Sequence, residues 1–327
     1  MVCNNYQENE KKRGMNKAIN YSLIIPTKDR PEELRKCLQF VFVQKIKPEK
    51  YIIVDDGQLN PDEIRAWMGS EGERLIYHRK ETPGLIQSLN VALELCASEW
   101  MLILDDDVNI VENFMEAIAD ALYSYKEPDK VAGIAGYGVP PEDWTYNWRL
   151  YVRLFLERVF LLNGWKEGFF LPSSYCTDYY WGYRPNHPYP TEFIAGGLGF
   201  WRTDILKRYR FNTWYEGYAY GNDKEVSYRI SREHILLCQP AAVGIHRKSQ
   251  HSRTQDYALG KMMVKNQFFF YRKIFRKHIW SFLFFAWALL GFVFIYFSGA
   301  IFSMQYNQRI HKARGILAGL WEEIRGQ

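Results

Sequence analysis

No C-x-x-C pair occurs in this chain, and its five cysteines (Cys3, Cys37, Cys96, Cys176 and Cys238) are scattered and odd in number. Their spacing argues against a zinc site or a disulfide framework and fits reduced thiols facing the cytosol. No glycine-rich basic loop stands near the N-terminus, which argues against a nucleotidyltransferase, and the glycines of AGGLGFW (Gly196, Gly197, Gly199) match no dinucleotide or P-loop pattern. Internal repeats and low-complexity linkers are missing as well. An excess of one charge sign is lacking: a net +5 spread over 327 residues gives no case for a nucleic-acid partner. The opening MVCNNYQENEKKRGMNKAIN has no apolar run, so residues 1–20 are expected to be a disordered tail rather than a secretory leader.

Another absence is local. Residues 279–304, IWSFLFFAWALLGFVFIYFSGAIFSM, carry no charge. At about 1.5 Å per residue, a helix of that length exceeds a hydrocarbon core roughly 30 Å thick. Basic residues flank both ends, with Arg272, Lys273, Arg276 and Lys277 before and Arg309, Lys312 and Arg314 after. The positive-inside rule therefore selects no direction. Two geometries stay open: a tilted span, or a re-entrant or interfacial segment broken near Ser298-Gly299-Ala300 with both ends on the cytoplasmic side. Residues 256–278 mix bulky aromatics with Lys and Arg and are expected to lie at an anionic lipid interface. Residues 305–327 then form a C-terminal tail.

What is present is an ordered α/β pattern. YSLIIP (21–26), YIIVDDG (51–57), RLIYH (74–78) and WMLIL (100–104) read as buried strands. Between them, PEELRKCLQFVFVQ (31–44) and GLIQSLNVALELC (84–96) place apolar residues at helical spacing. ENFMEAIADALYSYK (112–126) is a third amphipathic helix, and GNDKEVSYRISRE (221–233) begins another. The order predicts an open α/β sheet with largely parallel strands, whose ligands collect at the carboxyl ends. Residues 140–195 are rich in Trp, Tyr, Phe, Pro and Gly and weak in periodicity. Trp144, Trp148, Trp165, Tyr179, Tyr180 and Trp181 there suit an acceptor glycan, a lipid interface or ordinary packing.

Three strands end on suggestive residues at one predicted edge: Pro26-Thr27, Asp55-Asp56 and Asp105-Asp106-Asp107. Adjacent carboxylates repel, and nothing basic stands beside the triplet in sequence. A solvated turn or a helix N-cap is the plain explanation. A buried approach to three hard oxygen ligands instead suits Mn2+ or Mg2+ with substrate phosphate.

The fragments SLIIPTKDRPEELRKCLQ, YIIVDDG, TPGLIQSLNVALEL and MLILDDDV, followed by IAGGLGFWRTDIL and GNDKEVSYRI, resemble family 2 glycosyltransferases in order and spacing. The resemblance covers residues 21–255 and implies an inverting enzyme of the GT-A fold, a Rossmann-like nucleotide-binding sheet joined to an acceptor-binding half. It implies that Pro26 and Thr27 line the nucleotide base and that Asp55, with Asp56, bonds the base or ribose. Asp105 to Asp107 look like the family's D-x-D motif, with Asp105 and Asp106 towards ribose and phosphate. Asp107, with Asp105, would hold the metal, and Asp223 falls at the family's catalytic base. His246 follows an apolar run where the family often places a histidine on metal or diphosphate; an ordinary surface or core histidine is the alternative, and His251 is a second candidate. Two departures stand out. Asn222-Asp223 replaces the usual Glu-Asp, and Leu89 stands where many relatives carry arginine, a charge Lys80 or Arg79 would have to supply.

The chemistry is coherent with that likeness. A nucleotide-sugar leaves as a diphosphate, whose growing charge a metal stabilises, and an acceptor hydroxyl needs a base. The implied function is transfer from a nucleotide-sugar, a UDP-sugar foremost, to a lipid-linked or polysaccharide acceptor at the cell membrane. The catalytic domain would face the cytoplasm and touch membrane lipids. Transfer to a polyprenyl phosphate, which needs no base, and an inactive nucleotide-sugar-binding scaffold remain open. Gly196, Gly197 and Gly199 would let backbone approach a sugar closely.

Overall fold

The computed structural model describes residues 19–140, 148–178, 185–247, 255–301 and 306–326. The expected tail 1–18 and Trp144, Tyr179, Tyr180, Trp181, Lys248 and His251 lie outside them. Every other statement concerns the described residues.

Strand β1 (Tyr21–Thr27) is followed by helix α1 (Pro31–Phe42), and β2 (Lys50–Asp55) by α2 (Pro61–Met68). Then come β3 (Leu75–Arg79), α3 (Leu85–Leu95) and β4 (Trp100–Leu104). Proline at the first turn of α1 and α2 costs no hydrogen bond, because that N–H has no helical partner. β1, β2, β3 and β4 pair in parallel. Both faces of these strands are covered, which is why they read as continuous apolar runs. Tyr21, Leu23 and Ile25 pack on one side with Leu34 and Leu38 of α1. Ile24, Ile52 and Val54 pack on the other with Ile86 and Leu89 of α3.

Beyond β4 the sheet becomes mixed. The chain continues through β5 (Val108–Ile110), α4 (Phe114–Ser124), β6 (Val131–Val139), α5 (Trp148–Val159) and β7 (Tyr189–Thr191). β8 (Leu198–Arg202), α6 (Thr203–Tyr209), α7 (Asn222–Ser231) and β9 (Ile235–His246) follow. The strand order is β3-β2-β1-β4-β8-β6-β9-β5, with β7 on β9. β8 is antiparallel to both β4 and β6, and β9 is antiparallel to β5. β6 and β9 pair in parallel again, so the expectation of a largely parallel sheet holds for its first half and for this pair, and the antiparallel strands β8, β5 and β7 make the sheet mixed. The reversal has a use: it brings the N-terminal end of β8 and the C-terminal end of β9 to the edge where β4 ends.

The aromatic stretch expected to be irregular contains a regular helix, α5, which presents Trp148, Tyr151, Phe155 and Val159 to the outside. The C-terminal region also differs from expectation. Helices α8 (Asp256–Phe269), α9 (Ser281–Ile301) and α10 (Tyr306–Arg325) form a third apolar cluster of Val264, Phe268, Tyr271, Phe285, Phe292 and Ile316. Aromatics expected at a lipid interface are buried instead: Phe268, Phe270 and Tyr271 are each under 9% exposed. Phe269 stacks on Trp214 with centroids 3.7 Å apart, and Asn266 Nδ2 donates to the Tyr220 carbonyl at 2.8 Å. α9 runs unbroken through Ser298, Gly299 and Ala300.

The stretch expected to be a tail is α10, whose closeness to α8 is set by glycine. A Cβ on Gly315 would lie 2.0 Å from the Tyr257 carbonyl oxygen, and one on Gly260 would lie 2.1 Å from that of Lys312. Asp256–Lys312 at 3.1 Å, Lys261–Glu322 at 2.6 Å and Arg272–Glu323 at 2.7 Å run along the same seam. Both partners advance together, so α8 and α10 are parallel, and α9 returns between their ends.

Candidate active site

The carboxylates at the end of β4 are separated by the structure into different tasks. Asp106 is 3% exposed and turned back into the protein. Its Oδ2 accepts from Thr27 Oγ1 at 2.7 Å and its Oδ1 from Arg30 Nη1 at 2.9 Å. Burial raises its carboxyl pKa, and the Thr27 and Arg30 contacts oppose that rise. Thr27 and Asp106, both expected to face a nucleotide, therefore bind each other. Arg30, from the turn before α1, is the cation that the triplet lacks in sequence; it arrives from 76 residues away.

Asp105 and Asp107 face a common space. Asp105 is half-buried, and burial pushes its carboxyl up to about 6 against the pull of His246. Asp107, Asp106 and Asp223 add to that rise. His246 Nε2 lies 3.0 Å from Asp107 Oδ1, a contact made by the antiparallel pairing of Val108 with His246. One ligand atom from each of Asp105, Asp107 and His246 falls within a 4.8 Å span. Two carboxylates and an imidazole match the donor set of a hard to borderline divalent cation, so the residues fit Mn2+ or Mg2+.

Asp223 reaches this edge from the first turn of α7. The N-cap is Gly221, so the capping explanation of Asp223 does not apply. Its Oδ2 accepts from the Gly196 N–H at 3.1 Å and its Oδ1 from the Lys224 N–H at 2.9 Å. Burial raises its carboxyl, opposed first by Lys224. The glycines expected to approach a sugar have a different use here. A Cβ on Gly197 would lie 2.1 Å from Asp105 Oδ2, and one on Gly196 would lie 3.3 Å from Asp223 Cβ. The Gly196-Gly197 backbone thus runs between the two acids, and only a residue without a side chain fits the Asp105 side. Asn222 donates Nδ2 to the Ala219 carbonyl at 2.8 Å, while its buried Oδ1 has no partner among the described residues.

The β2 acids behave differently from expectation. Asp55 is fully buried, and its oxygens accept from Gly57 N, Leu59 N and Tyr77 Oη at 2.7–2.9 Å. A buried carboxylate with these three donors holds the loop after β2. Asp56 accepts from Gly84 N at 2.7 Å and Ser88 Oγ at 2.8 Å, fixing the start of α3, and pairs with Lys80 at 2.9 Å. Lys80 is therefore spent on Asp56, and Arg79 donates to the Leu59 carbonyl. Neither replaces the missing arginine. Pro26 is half-buried at the same strand edge.

With this geometry in view, the family model for glycosyl transferase family 2 matches residues 22–185. The chain belongs to that family. A PGL/p-HBAD biosynthesis glycosyltransferase of Mycobacterium bovis is 29% identical over 113 residues, which are 34% of this chain and 44% of that relative. Glycosyltransferase GlyG of Streptococcus pneumoniae is 26% identical over 114 residues, 34% of this chain and 38% of the relative. The matches thus span less than half the length of either curated relative. Among solved structures, the Pyrobaculum calidifontis mannosyltransferase PcManGT, in complex with GDP-Man and Mn2+, superposes with a TM-score of 0.56 at 14% identity. It covers 93% of this chain and 88% of its own. GalNAc-T7 with UDP, GalNAc and Mn2+ gives a TM-score of 0.55 at 14% identity, over 90% of this chain and 59% of its own. At that identity the likeness is one of fold, and the fold is GT-A. The family match ends before β7, so Asp223 and His246 lie outside it.

Proposed function

We propose that this family 2 member is a metal-dependent inverting glycosyltransferase. It would move a sugar from a nucleotide-sugar, foremost a UDP-sugar, to a lipid-linked or surface glycan at the cytoplasmic face of the cell membrane. The observation that carries this reading is the convergence of Asp105, Asp107 and His246 with Asp223 at one edge of the sheet, around the Gly196-Gly197 backbone.

Asp107, Asp105 and His246 are the residues that would hold a divalent cation, Mn2+ or Mg2+. When bound, such a cation supplies a Lewis acid and template for the departing diphosphate. Arg30 and Thr27 hold Asp106 inward, which stiffens the β4 end from which Asp105 and Asp107 project. Pro26, Asp55 and Asp56 shape the wall for the nucleotide, the two acids by fixing the loop after β2 and the start of α3. Asp223 takes the acceptor hydroxyl proton; its raised pKa brings it nearer the operating pH, which favours a general base. The neighbouring acidic residue of relatives is replaced by Asn222, so a single carboxylate does this work.

Diphosphate release from a panel of nucleotide-sugars, with membrane extracts supplying acceptor, tests the reading. Manganese-dependent release that Asp107→Asn and Asp223→Asn both abolish supports it. Release that survives Asp223→Asn indicates an acceptor already ionised, such as a polyprenyl phosphate. Donor binding with no release on any acceptor contradicts catalysis.

A further inference from the structure

We propose that α5 and α9 together form a one-sided seat on an anionic lipid surface, and that α9 lies in the plane of the membrane instead of crossing it. The proposal rests on the membrane attachment inferred above, not on the transferase chemistry.

By length and composition Ser281–Gly299 could span a bilayer. Its packing argues otherwise. One face of α9, carrying Phe285, Ala288, Phe292 and Ile295, is buried against the protein. The opposite face leaves Leu283, Trp287, Leu290 and Phe294 between 44% and 64% exposed. Only 28% of this apolar window is covered.

The open face does not stop at α9. α5 is an inverted amphipathic helix: Trp148, Tyr151, Val152, Phe155 and Val159 share one side and are all exposed, Phe155 by 65%. The two stripes meet where Trp287 Nε1 donates to the Val159 carbonyl at 2.8 Å. Phe160 packs there against Trp287 and Phe294, with centroids 4.9 and 5.9 Å apart. Bulky apolar and indole side chains on one continuous face suit the boundary between headgroups and acyl chains. Just before α9, Lys273, Arg276 and Lys277 are exposed, which complements anionic headgroups.

The neighbours of α9 exclude a crossing. α10 runs back along it: Arg309 Nη1 donates to the Gly299 carbonyl at 3.3 Å, and Glu323 pairs with Arg272 near Tyr271, which stacks on Phe285. Arg309, Lys312, Arg314, Glu322 and Glu323 therefore lie between the two ends of α9. A perpendicular span would carry all of them to bilayer depth, where charged side chains are strongly disfavoured. Seated in the plane, α9 keeps its apolar face in lipid and these charges on the watery side.

The test uses the full chain with Cys3→Ser and one added cysteine, at Lys277→Cys or His311→Cys, near opposite ends of α9. Sealed inverted membrane vesicles are treated with an impermeant maleimide. Both positions should label equally without detergent; labelling of one alone means α9 crosses and overturns the seat. In parallel, flotation with phosphatidylglycerol vesicles should show about tenfold weaker partition for Phe155→Glu, with unchanged melting temperature and donor binding. Partition unaffected by Phe155→Glu overturns the role of α5. Protein that never floats, or whose open face is covered in a dimer that Phe155→Glu breaks, overturns membrane attachment itself. None of these outcomes depends on turnover.

Discussion

The carboxyl edge of the sheet and the α5–α9 face are both surfaces that the chain does not complete by itself, and they are incomplete in opposite ways. At the edge, Asp55, Asp56 and Asp106 are held by hydrogen bonds and ion pairs from their own and neighbouring segments, while Asp105, Asp107 and His246 point their ligand atoms at one another. At the helical face what is left over is mostly apolar area. On the proposed reading the first surface would select a small charged ligand by geometry. The second would select only a medium, because burial of apolar area has no direction. Substitutions should therefore act sharply at the edge and gradually on the face.

The largest effect is expected at the edge. Asp107→Asn should cut diphosphate release about a thousandfold while the protein stays folded, because a neutral amide removes the charge that answers the cation. Asp223→Asn should lower kcat by about 10²–10⁴ and leave donor binding unchanged. The same base predicts a pH profile. A raised carboxyl pKa means activity is lost, as pH falls, at values above those of an ordinary aspartate, and the acid limb should disappear in Asp223→Asn.

How much of this was readable beforehand depends on the range of the interaction. Strand ends bearing acids are local features, so the α/β pattern from Tyr21 to Leu104 and the sheet edge of the proposed site were visible in the sequence. The acids' division of labour was not. Arg30 meets Asp106 only because β1 lies beside β4, and His246 meets Asp107 only through the antiparallel register of β5 with β9. Arg30 had one available signal: a cation in the loop after a strand ending at the same edge. The packing of residues 256–278 and the helix at 306–325 escaped the sequence for a different reason. Apolar periodicity reports which residues avoid water and is silent on whether protein or lipid covers them. Phe268 and Phe155 carry the same chemistry and end in opposite places, one packed on Phe285 and the other exposed. The glycines at Gly260 and Gly315, which mark the α8–α10 seam, were the overlooked cue.

Smaller effects sharpen the contrast. Gly315→Leu should separate α8 from α10 and lower stability by about 3 kcal/mol, visible in urea unfolding. Arg30→Met leaves the largely buried Asp106 carboxylate without its cation and should cost about 2 kcal/mol in the same measurement. Phe155→Glu, on the open face, should change the unfolding free energy in urea least, by under about 0.5 kcal/mol. Equal losses for all three would erase the distinction between covered and open surface.

The central claim, that the edge is a metal-dependent nucleotide-sugar site, is tested most directly by thermal unfolding of the purified chain with nucleoside diphosphates, with manganese or with chelator. A ligand at about a hundred times its dissociation constant adds roughly 2.7 kcal/mol, which shifts the midpoint by a few degrees. The account predicts such a shift for one nucleotide, absent with chelator and in Asp107→Asn. No shift with any nucleotide in folded protein, or the same shift in Asp107→Asn, would contradict it.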